Sequence, residues 1–92
     1  LILNDNAYGF IKWKQEQEGF KAFAMDYGNP DFKKYAEAYG AVGIDVKSAK
    51  ELIPALEKAF KENGPVLINC PIDYSENDTV LSKELSQLVC PV

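Results

Sequence analysis

The pattern of residues 42–70, VGIDVKSAKELIPALEKAFKENGPVLINC, decides the fold class of this chain. Apolar residues alternate with other residues over positions 42–46, which is typical of a strand. The run at positions 66–70 is apolar except for Asn69, which is typical of a parallel strand covered on both faces. These two runs predict two strands of one sheet, joined by the segment between them.

That segment predicts an amphipathic helix. Ser48 and Glu51 have the S-x-x-E spacing of a capping box at a helix start. Asn-Gly-Pro at positions 63–65 is a stop signal. An apolar stripe at helical spacing runs between them, formed by Leu52, Leu56, Ala59 and Phe60. The pattern therefore predicts a strand–helix–strand unit.

At the start of the chain, residues 1–3 are apolar and predict the end of a buried strand. Residues 4–9 (NDNAYG) predict a strand-to-helix loop. A helix is expected at about positions 10–17. Asn-Pro at positions 29–30 predicts the start of another helix, with Asn as cap and Pro at the first helical position, and Gly40 closes it.

Leucines at positions 81, 85 and 88 predict a last helix from about Asp78. The order is then strand, helix, helix, strand, helix, strand, helix. Such alternation predicts an α/β fold with a parallel sheet. The 92 residues allow one small domain. The opening in an apolar run, without Met, predicts a piece of a longer protein.

The composition argues against several function classes. The net charge is −4 and the ten basic residues are all dispersed lysines, so no nucleic-acid partner is expected. The sequence contains no His, which excludes Ser-His and Cys-His catalysis. No run is long enough for a membrane span, and no membrane partner is expected. Cys70 and Cys90 predict two small buried thiols in a reducing compartment rather than a disulfide, consistent with a cytoplasmic location.

In open parallel sheets, ligands gather beyond the carboxyl ends of the strands, which here are residues 4–9 and 71–78. Asn4, Asp5 and Asn6 are compatible with simple turn chemistry. A second interpretation is a Mg²⁺ and phosphate site, in which Asp5 supplies a carboxylate and a loop carbonyl two residues later supplies a second oxygen; the spacing alone favours the turn.

The acidic residues of the later segment, Asp73, Glu76 and Asp78, lack the alternating ligands and central Gly of an EF-hand. They predict a solvated loop or an interdomain contact.

Residues 1–15, LILNDNAYGFIKWKQ, resemble the second half of the thiamine diphosphate motif. That motif begins with Gly-Asp-Gly and ends with a pair such as Asn-Asn or Asn-Asp. Residues 27–40 and 71–77 resemble the same family. The similarity extends over nearly the whole chain and is greatest to acetolactate synthases.

The resemblance implies a three-layer α/β fold, a parallel sheet with helices on both faces. Residues 1–92 would be a single partial domain, the C-terminal half of the pyrophosphate-binding domain. Asp5, through its side chain, and Ala7, through its carbonyl, would bind Mg²⁺. The contacts to thiamine diphosphate are assigned to the whole loop, namely Asn4, Asp5, Asn6, Ala7, Tyr8 and Gly9.

The family also implies the reaction. The full-length enzyme would decarboxylate pyruvate and ligate the product to a second 2-keto acid, giving 2-acetolactate. The family's catalytic glutamate lies in another domain, so no catalytic residue is assigned here and residues 1–92 alone are expected to be inactive. The full chain is expected to form a homo-oligomer, a dimer or a tetramer.

Phe10, Ile11 and Trp13 follow the predicted metal loop and would line the substrate pocket, or form one packed face of a helix. Related pyruvate decarboxylases carry a glutamate at the place of Phe10 or Ile11, so apolar residues there favour ligation over release of an aldehyde.

Two alternatives stay open. One is another thiamine diphosphate-dependent 2-keto acid decarboxylase, such as a benzoylformate or oxalyl-coenzyme A decarboxylase-like enzyme. The other is a non-catalytic α/β interaction module. Within the acetolactate synthase class, the enzyme could serve branched-chain amino acid biosynthesis or acetoin formation.

Overall fold

A computed structural model describes residues 1–88 of the chain. Its strands and helices are β1 (Ile2–Asn4), α1 (Gly9–Gln17), α2 (Phe32–Ala38), β2 (Val42–Asp45), α3 (Ala49–Lys61), β3 (Val66–Pro71), a π-helical segment (Asp78–Glu84) and α4 (Leu85–Leu88). This order confirms the predicted alternation of strands and helices. The last helix begins at Asp78 as expected, although its first seven residues take the wider π form.

The three strands form one parallel sheet in the order β1-β3-β2. β3 is therefore central, with Ile2 of β1 and Asp45 of β2 both opposite Asn69. The predicted parallel α/β fold is confirmed. Because β3 pairs on both sides, its side chains lie between those of the other two strands at the carboxyl edge.

Helices cover both faces of the sheet, which confirms the three-layer arrangement. On one face, α3 packs Ala55 against Val46 and Ile68 to form the buried core. On the other face, α2 approaches β2 so closely that a Cβ at Gly43 would overlap the backbone of Lys33. A side chain at position 43 would push α2 away from the sheet, so this contact requires glycine.

The start of α2 differs from the prediction. Asp31 is the N-cap and its Oδ1 accepts a hydrogen bond from the Lys34 amide at 3.1 Å, so the helix begins at Phe32 rather than at Pro30. Asn29 does not cap because its side chain donates instead to Asn4, at 2.6 Å. Asn29, which the local sequence pattern predicts as the helix cap, is therefore engaged in a tertiary hydrogen bond instead.

The capping box of α3 is also only half formed. Ser48 is the N-cap, but its side chain makes no capping hydrogen bond. The Glu51 carboxylate accepts a hydrogen bond from the Lys47 amide at 2.7 Å, one residue before the cap. Glu51 thus still satisfies one backbone donor near the helix start, although not the donor that the motif predicts.

The prediction that residues 1–3 are buried is wrong within the described part of the chain. Leu1 and Leu3 are 64% and 61% exposed. β1 forms an edge of the sheet, and its main contacts among residues 1–88 are with β3. The apolar pattern of β1 therefore marks a surface that residues 1–88 do not cover.

Cys70 is a half-buried free thiol, whereas Cys90 lies outside the described residues. Within residues 1–88, no helix combines the length and the apolar character that crossing a membrane would require.

Candidate functional site at the carboxyl end of β1

The loop between β1 and α1 is a tight turn held by its own side chains. The Asp5 carboxylate accepts a hydrogen bond from the Ala7 amide at 3.2 Å, and the Asn4 side-chain oxygen accepts one from the Asn6 amide at 3.2 Å. Asn6 has a φ of 54°, in the left-handed region that Asn tolerates better than most residues. The polar residues at positions 4–6 thus shape the turn that brings the chain from the sheet into α1.

A second segment supports this loop from outside. The Tyr8 amide donates to the Met25 carbonyl at 2.8 Å, and the Tyr27 amide donates to the Asn6 carbonyl at 2.9 Å. These bonds flank an antiparallel bridge between Ala7 and Asp26. The sequence patterns left residues 20–28 without a predicted role, because this short pairing has no periodicity of its own.

The bridge leaves the Ala7 carbonyl available. Ala7 lies between the two hydrogen bonds of the bridge rather than in one of them, so its own carbonyl does not point at the partner segment. Within residues 1–88, no hydrogen-bond donor is assigned to it. A carbonyl in this state has both lone pairs free for a ligand.

A chain of side-chain hydrogen bonds crosses the sheet beneath the loop. Asn29 donates to Asn4 at 2.6 Å, Asn4 donates to Asn69 at 3.0 Å, and Asn69 donates to Asp45 at 3.0 Å. We call these four residues the amide chain. It ties the carboxyl ends of all three strands together and fixes Asn4, which begins the loop. The only signal for it in the sequence was the single polar residue, Asn69, in an apolar strand.

Replacing Asn69 by Ala should destabilise the domain by about 1–3 kcal/mol, because two hydrogen bonds would be lost, one to the half-buried Asn4 and one to the exposed Asp45. The check is the urea midpoint of the full-length protein. Asn63→Ala, in the exposed loop after α3, is the control and should stay within about 0.5 kcal/mol of wild type. Equal midpoints for the two variants would show that the amide chain does not stabilise the sheet.

The Asp5 carboxylate and the Tyr74 ring meet over Gly9, the first residue of α1. A Cβ at position 9 would overlap both the Oδ2 of Asp5 and the ring of Tyr74. Burial and a hydrogen bond to Asp5 raise the pKa of the Tyr74 hydroxyl above its usual value. Gly9 is thus required for the close approach of Asp5 and Tyr74, which are distant in sequence.

The predicted pocket residues separate into two groups. Phe10 and Ile11, both about half exposed, line an open cleft of about 350 Å³ together with Asp5 and Gly9. Trp13 is only 9% exposed. It lines a neighbouring cavity of about 450 Å³ that also contains Asp5. Asp5 therefore lines both cavities.

Charged residues border the cavity that contains Trp13. Lys12 forms an ion pair with Asp26 at 2.9 Å, and this hydrogen bond raises the pKa of the Lys12 ammonium. Asp78 accepts a hydrogen bond from the Trp13 indole at 3.1 Å. Asp73 accepts hydrogen bonds from the Ser75 hydroxyl and amide, which lower the pKa of its carboxyl. Two of the three acidic residues in this segment, Asp73 and Asp78, therefore accept hydrogen bonds from protein groups.

No cluster of three or more His, Cys, Asp or Glu side chains suited to a metal occurs within residues 1–88. What the loop does offer is one carboxylate, at Asp5, and one free carbonyl, at Ala7. Two oxygen donors of this kind are part of a shell for a hard cation and not the whole of it.

Residues 1–70 match the model of a protein family described as the thiamine pyrophosphate enzymes, over their C-terminal TPP binding domain. The chain belongs to the thiamine pyrophosphate enzyme family. The loop at residues 4–9 accordingly lies within a thiamine pyrophosphate-binding domain, as the sequence resemblance implied.

Relatives in this family include acetolactate synthases. The chain is 36% identical to "Acetolactate synthase" of Bacillus subtilis (strain 168) over 85 residues, which cover 92% of this chain and 15% of that protein. It is 34% identical to "Acetolactate synthase, catabolic" of Raoultella terrigena over 90 residues, 97% of this chain and 16% of that protein. Identity to the "Putative thiamine pyrophosphate-containing protein YdaP" of Bacillus subtilis (strain 168) is 35% over 72 residues, 78% of this chain and 12% of that protein. The chain thus spans about one sixth or less of the length of these relatives.

Proposed function

We propose that residues 4–9 hold the Mg²⁺-bound diphosphate of thiamine diphosphate in a longer enzyme that forms 2-acetolactate. The observation that carries this proposal is the pairing of the Asp5 carboxylate with the unbonded Ala7 carbonyl on one rigid loop. This loop lies at the carboxyl end of a parallel strand, the usual position for a ligand in such sheets.

The donor set of the loop fits Mg²⁺. This cation prefers oxygen ligands and usually takes one or two carboxylates together with phosphate oxygens and water. Asp5 would contribute a side-chain oxygen and Ala7 its carbonyl, while the other ligands would come from the cofactor, water and other parts of the enzyme. A chain that covers 15% of its relative's length is expected to hold only part of such a shell.

The remaining loop residues have supporting roles in this proposal. Asn4 anchors the loop to the amide chain, Asn6 provides the left-handed turn, and Gly9 allows α1 to start directly beside Asp5. Tyr8 lies over the loop with its ring 5.0 Å from that of Tyr27. Together they hold the two oxygen donors in place, so that the diphosphate and hence the reactive ring are oriented for reaction.

When bound, thiamine diphosphate supplies the electron sink that stabilises a carbanion after carbon dioxide leaves a 2-keto acid. Phe10 and Ile11 present apolar side chains beside Asp5 and have no proton to donate. Such a wall disfavours release of the two-carbon unit as an aldehyde, which favours transfer to a second 2-keto acid. The similarity to proteins named acetolactate synthase supports this outcome.

The full-length protein, freed of cofactor, tests the proposal when incubated with pyruvate, Mg²⁺ and thiamine diphosphate. After acidification, the assay should detect acetoin, the decarboxylation product of 2-acetolactate, only when both cofactors are present. Acetaldehyde as the main product would assign the protein to the decarboxylases. A product that forms without Mg²⁺ or thiamine diphosphate would overturn the proposed role of the loop.

Replacing Ile11 by Glu should shift the products from acetoin towards acetaldehyde by roughly tenfold or more, because a carboxyl group beside Asp5 would add a proton donor of the kind that general acid catalysis uses. The measurement is the acetaldehyde-to-acetoin ratio. Ile11→Gln, of similar size but without a titratable proton, is the matched control. An unchanged ratio in the Glu variant would show that position 11 does not face the reacting carbon.

We further propose that the full-length protein is a homo-oligomer of the cytoplasm. Exposed apolar residues at the start of the chain and on α1 support the oligomer, since Leu1, Leu3, Phe10 and Ile11 are all more than half exposed here. The free thiol of Cys70 is compatible with a reducing compartment. Light scattering of the purified full-length protein should give the mass of a dimer or a tetramer.

A further inference from the structure

The segment from Ile72 to Asp78 contacts the candidate metal loop and α1 at three points. The Ile72 amide donates to the Asn4 carbonyl at 2.9 Å, immediately before Asp5. Tyr74 packs against the Asp5 carboxylate over Gly9. Asp78 accepts a hydrogen bond from the Trp13 indole at 3.1 Å. We call residues 72–78 the latch.

The latch lies outside the residues that match the family model, which end at position 70. The family match therefore assigns no role to Tyr74 or Asp78. Two of the three contacts join side chains: Tyr74 contacts Asp5 of the loop, and Asp78 contacts Trp13 of α1. A merely covering loop would need neither the phenol of Tyr74 nor the carboxylate of Asp78.

We propose that Tyr74 is a positioning residue that holds the Asp5 carboxylate in the orientation required for Mg²⁺, and that the Trp13–Asp78 hydrogen bond keeps the latch in place. This inference rests on the proposed function of the loop. Asp5 has two carboxylate oxygens, and one of them accepts the Ala7 amide at 3.2 Å. Tyr74 lies beside the other carboxylate oxygen, Oδ2. Contacts at both oxygens restrict rotation of the Asp5 carboxylate, so its remaining lone pairs keep a fixed direction.

Physical precedent gives the size of the effect. Carboxylates that bind metals are usually themselves held by a further layer of hydrogen bonds, and loss of one such partner weakens metal binding by about 10–100-fold. Gly9 lets the Tyr74 ring approach closely enough to take this place, since any side chain at position 9 would occupy it. The close contact among the loop, the start of α1 and the latch would thus serve to orient the Asp5 carboxylate.

The experiment compares full-length Tyr74→Phe with wild type by calorimetric titration of the apoenzyme with Mg²⁺ at saturating thiamine diphosphate. Tyr74→Phe should raise the half-saturating Mg²⁺ concentration by roughly tenfold and leave the unfolding temperature of the apoenzyme unchanged. Tyr39→Phe is the matched control, because this variant also loses a hydroxyl contact, to Tyr35, but Tyr39 is the C-cap of α2 and lies outside the loop and the latch. Its titration should match wild type.

A pair of variants at position 78 tests the second half of the proposal. Asp78→Asn keeps an oxygen that can accept the Trp13 indole hydrogen and should titrate like wild type. Asp78→Ala loses that acceptor and should weaken Mg²⁺ binding in the same direction as Tyr74→Phe. Rescue by Asn distinguishes a hydrogen bond that positions the latch from a general effect of charge.

The outcomes separate this inference from the function on which it rests. If wild type shows no Mg²⁺-dependent cofactor binding, the proposed function fails and the latch fails with it. If wild type binds but Tyr74→Phe behaves like Tyr39→Phe, or binds Mg²⁺ more tightly, the positioning role of Tyr74 is overturned while the proposed function stands. Equal weakening by Asp78→Asn and Asp78→Ala would overturn the role of the Trp13 contact.

Discussion

Replacing Asp5 by Ala in the full-length protein should raise the Mg²⁺ concentration needed for cofactor binding by about 100-fold or more. The variant removes a direct oxygen ligand, and loss of an outer-layer partner alone costs about 10–100-fold in metal affinity. It also removes the acceptor of the Ala7 amide, which shapes the loop. Titration of the apoenzyme with Mg²⁺ at fixed thiamine diphosphate measures the effect directly.

Asp5→Asn is the matched control for this prediction. Asn keeps an oxygen for the cation and for the Ala7 amide but gives up the negative charge, so its Mg²⁺ requirement should lie much closer to wild type. Two observations would contradict the prediction. Unchanged cofactor dependence in Asp5→Ala would show that Asp5 is not a ligand, and equal loss in Ala and Asn variants would assign the effect to charge alone.

Replacing Gly9 by Ala should abolish Mg²⁺-dependent cofactor binding and destabilise the domain by about 1–3 kcal/mol, the usual cost of overpacking. The added methyl group would overlap the Asp5 carboxylate and the Tyr74 ring at once, so the start of α1, the loop at residues 4–9 and the latch could not all keep their positions. Cofactor titration and thermal unfolding of the same full-length variant measure the two effects.

Gly28→Ala provides the comparison, because a Cβ there meets no atom within 4 Å and the residue follows the segment that supports the loop. Its cofactor binding and unfolding temperature should be close to those of wild type. If Gly9→Ala were equally mild, the close approach at Gly9 would not be needed for the site. Loss of binding without loss of stability would show that the site alone depends on it.

The residue patterns of the chain were informative wherever the deciding interactions are local. The alternation at positions 42–46, the stripe on α3 and the run at positions 66–70 each predicted their element, because helix and strand periods are set by the backbone itself. The position of the loop at residues 4–9 followed from the same order of elements. A motif resemblance assigned the chain to the thiamine pyrophosphate enzymes, and the family match confirmed that assignment.

Local rules were wrong where a side chain had two possible partners. Asn29 is a good helix cap by sequence, but its amide donates to Asn4 and leaves the cap to Asp31. Residues 1–3 looked buried because they are apolar, yet Leu1 and Leu3 are exposed within the described residues. In both cases the residue type indicates the kind of contact that the side chain can make, but the tertiary structure determines which contact forms.

The sequence by itself determined the order of the elements, the parallel α/β class, the polar loop after the first strand and the family to which that loop belongs. Only the tertiary structure decided which residues surround the loop: the amide chain through Asn69, the support from residues 24–28 and the contact of Tyr74 with Asp5. The physical reason is distance along the chain. Asn4 and Asn69 are 65 residues apart. They meet because the last strand inserts between the first two, and no short-range pattern specifies that strand order.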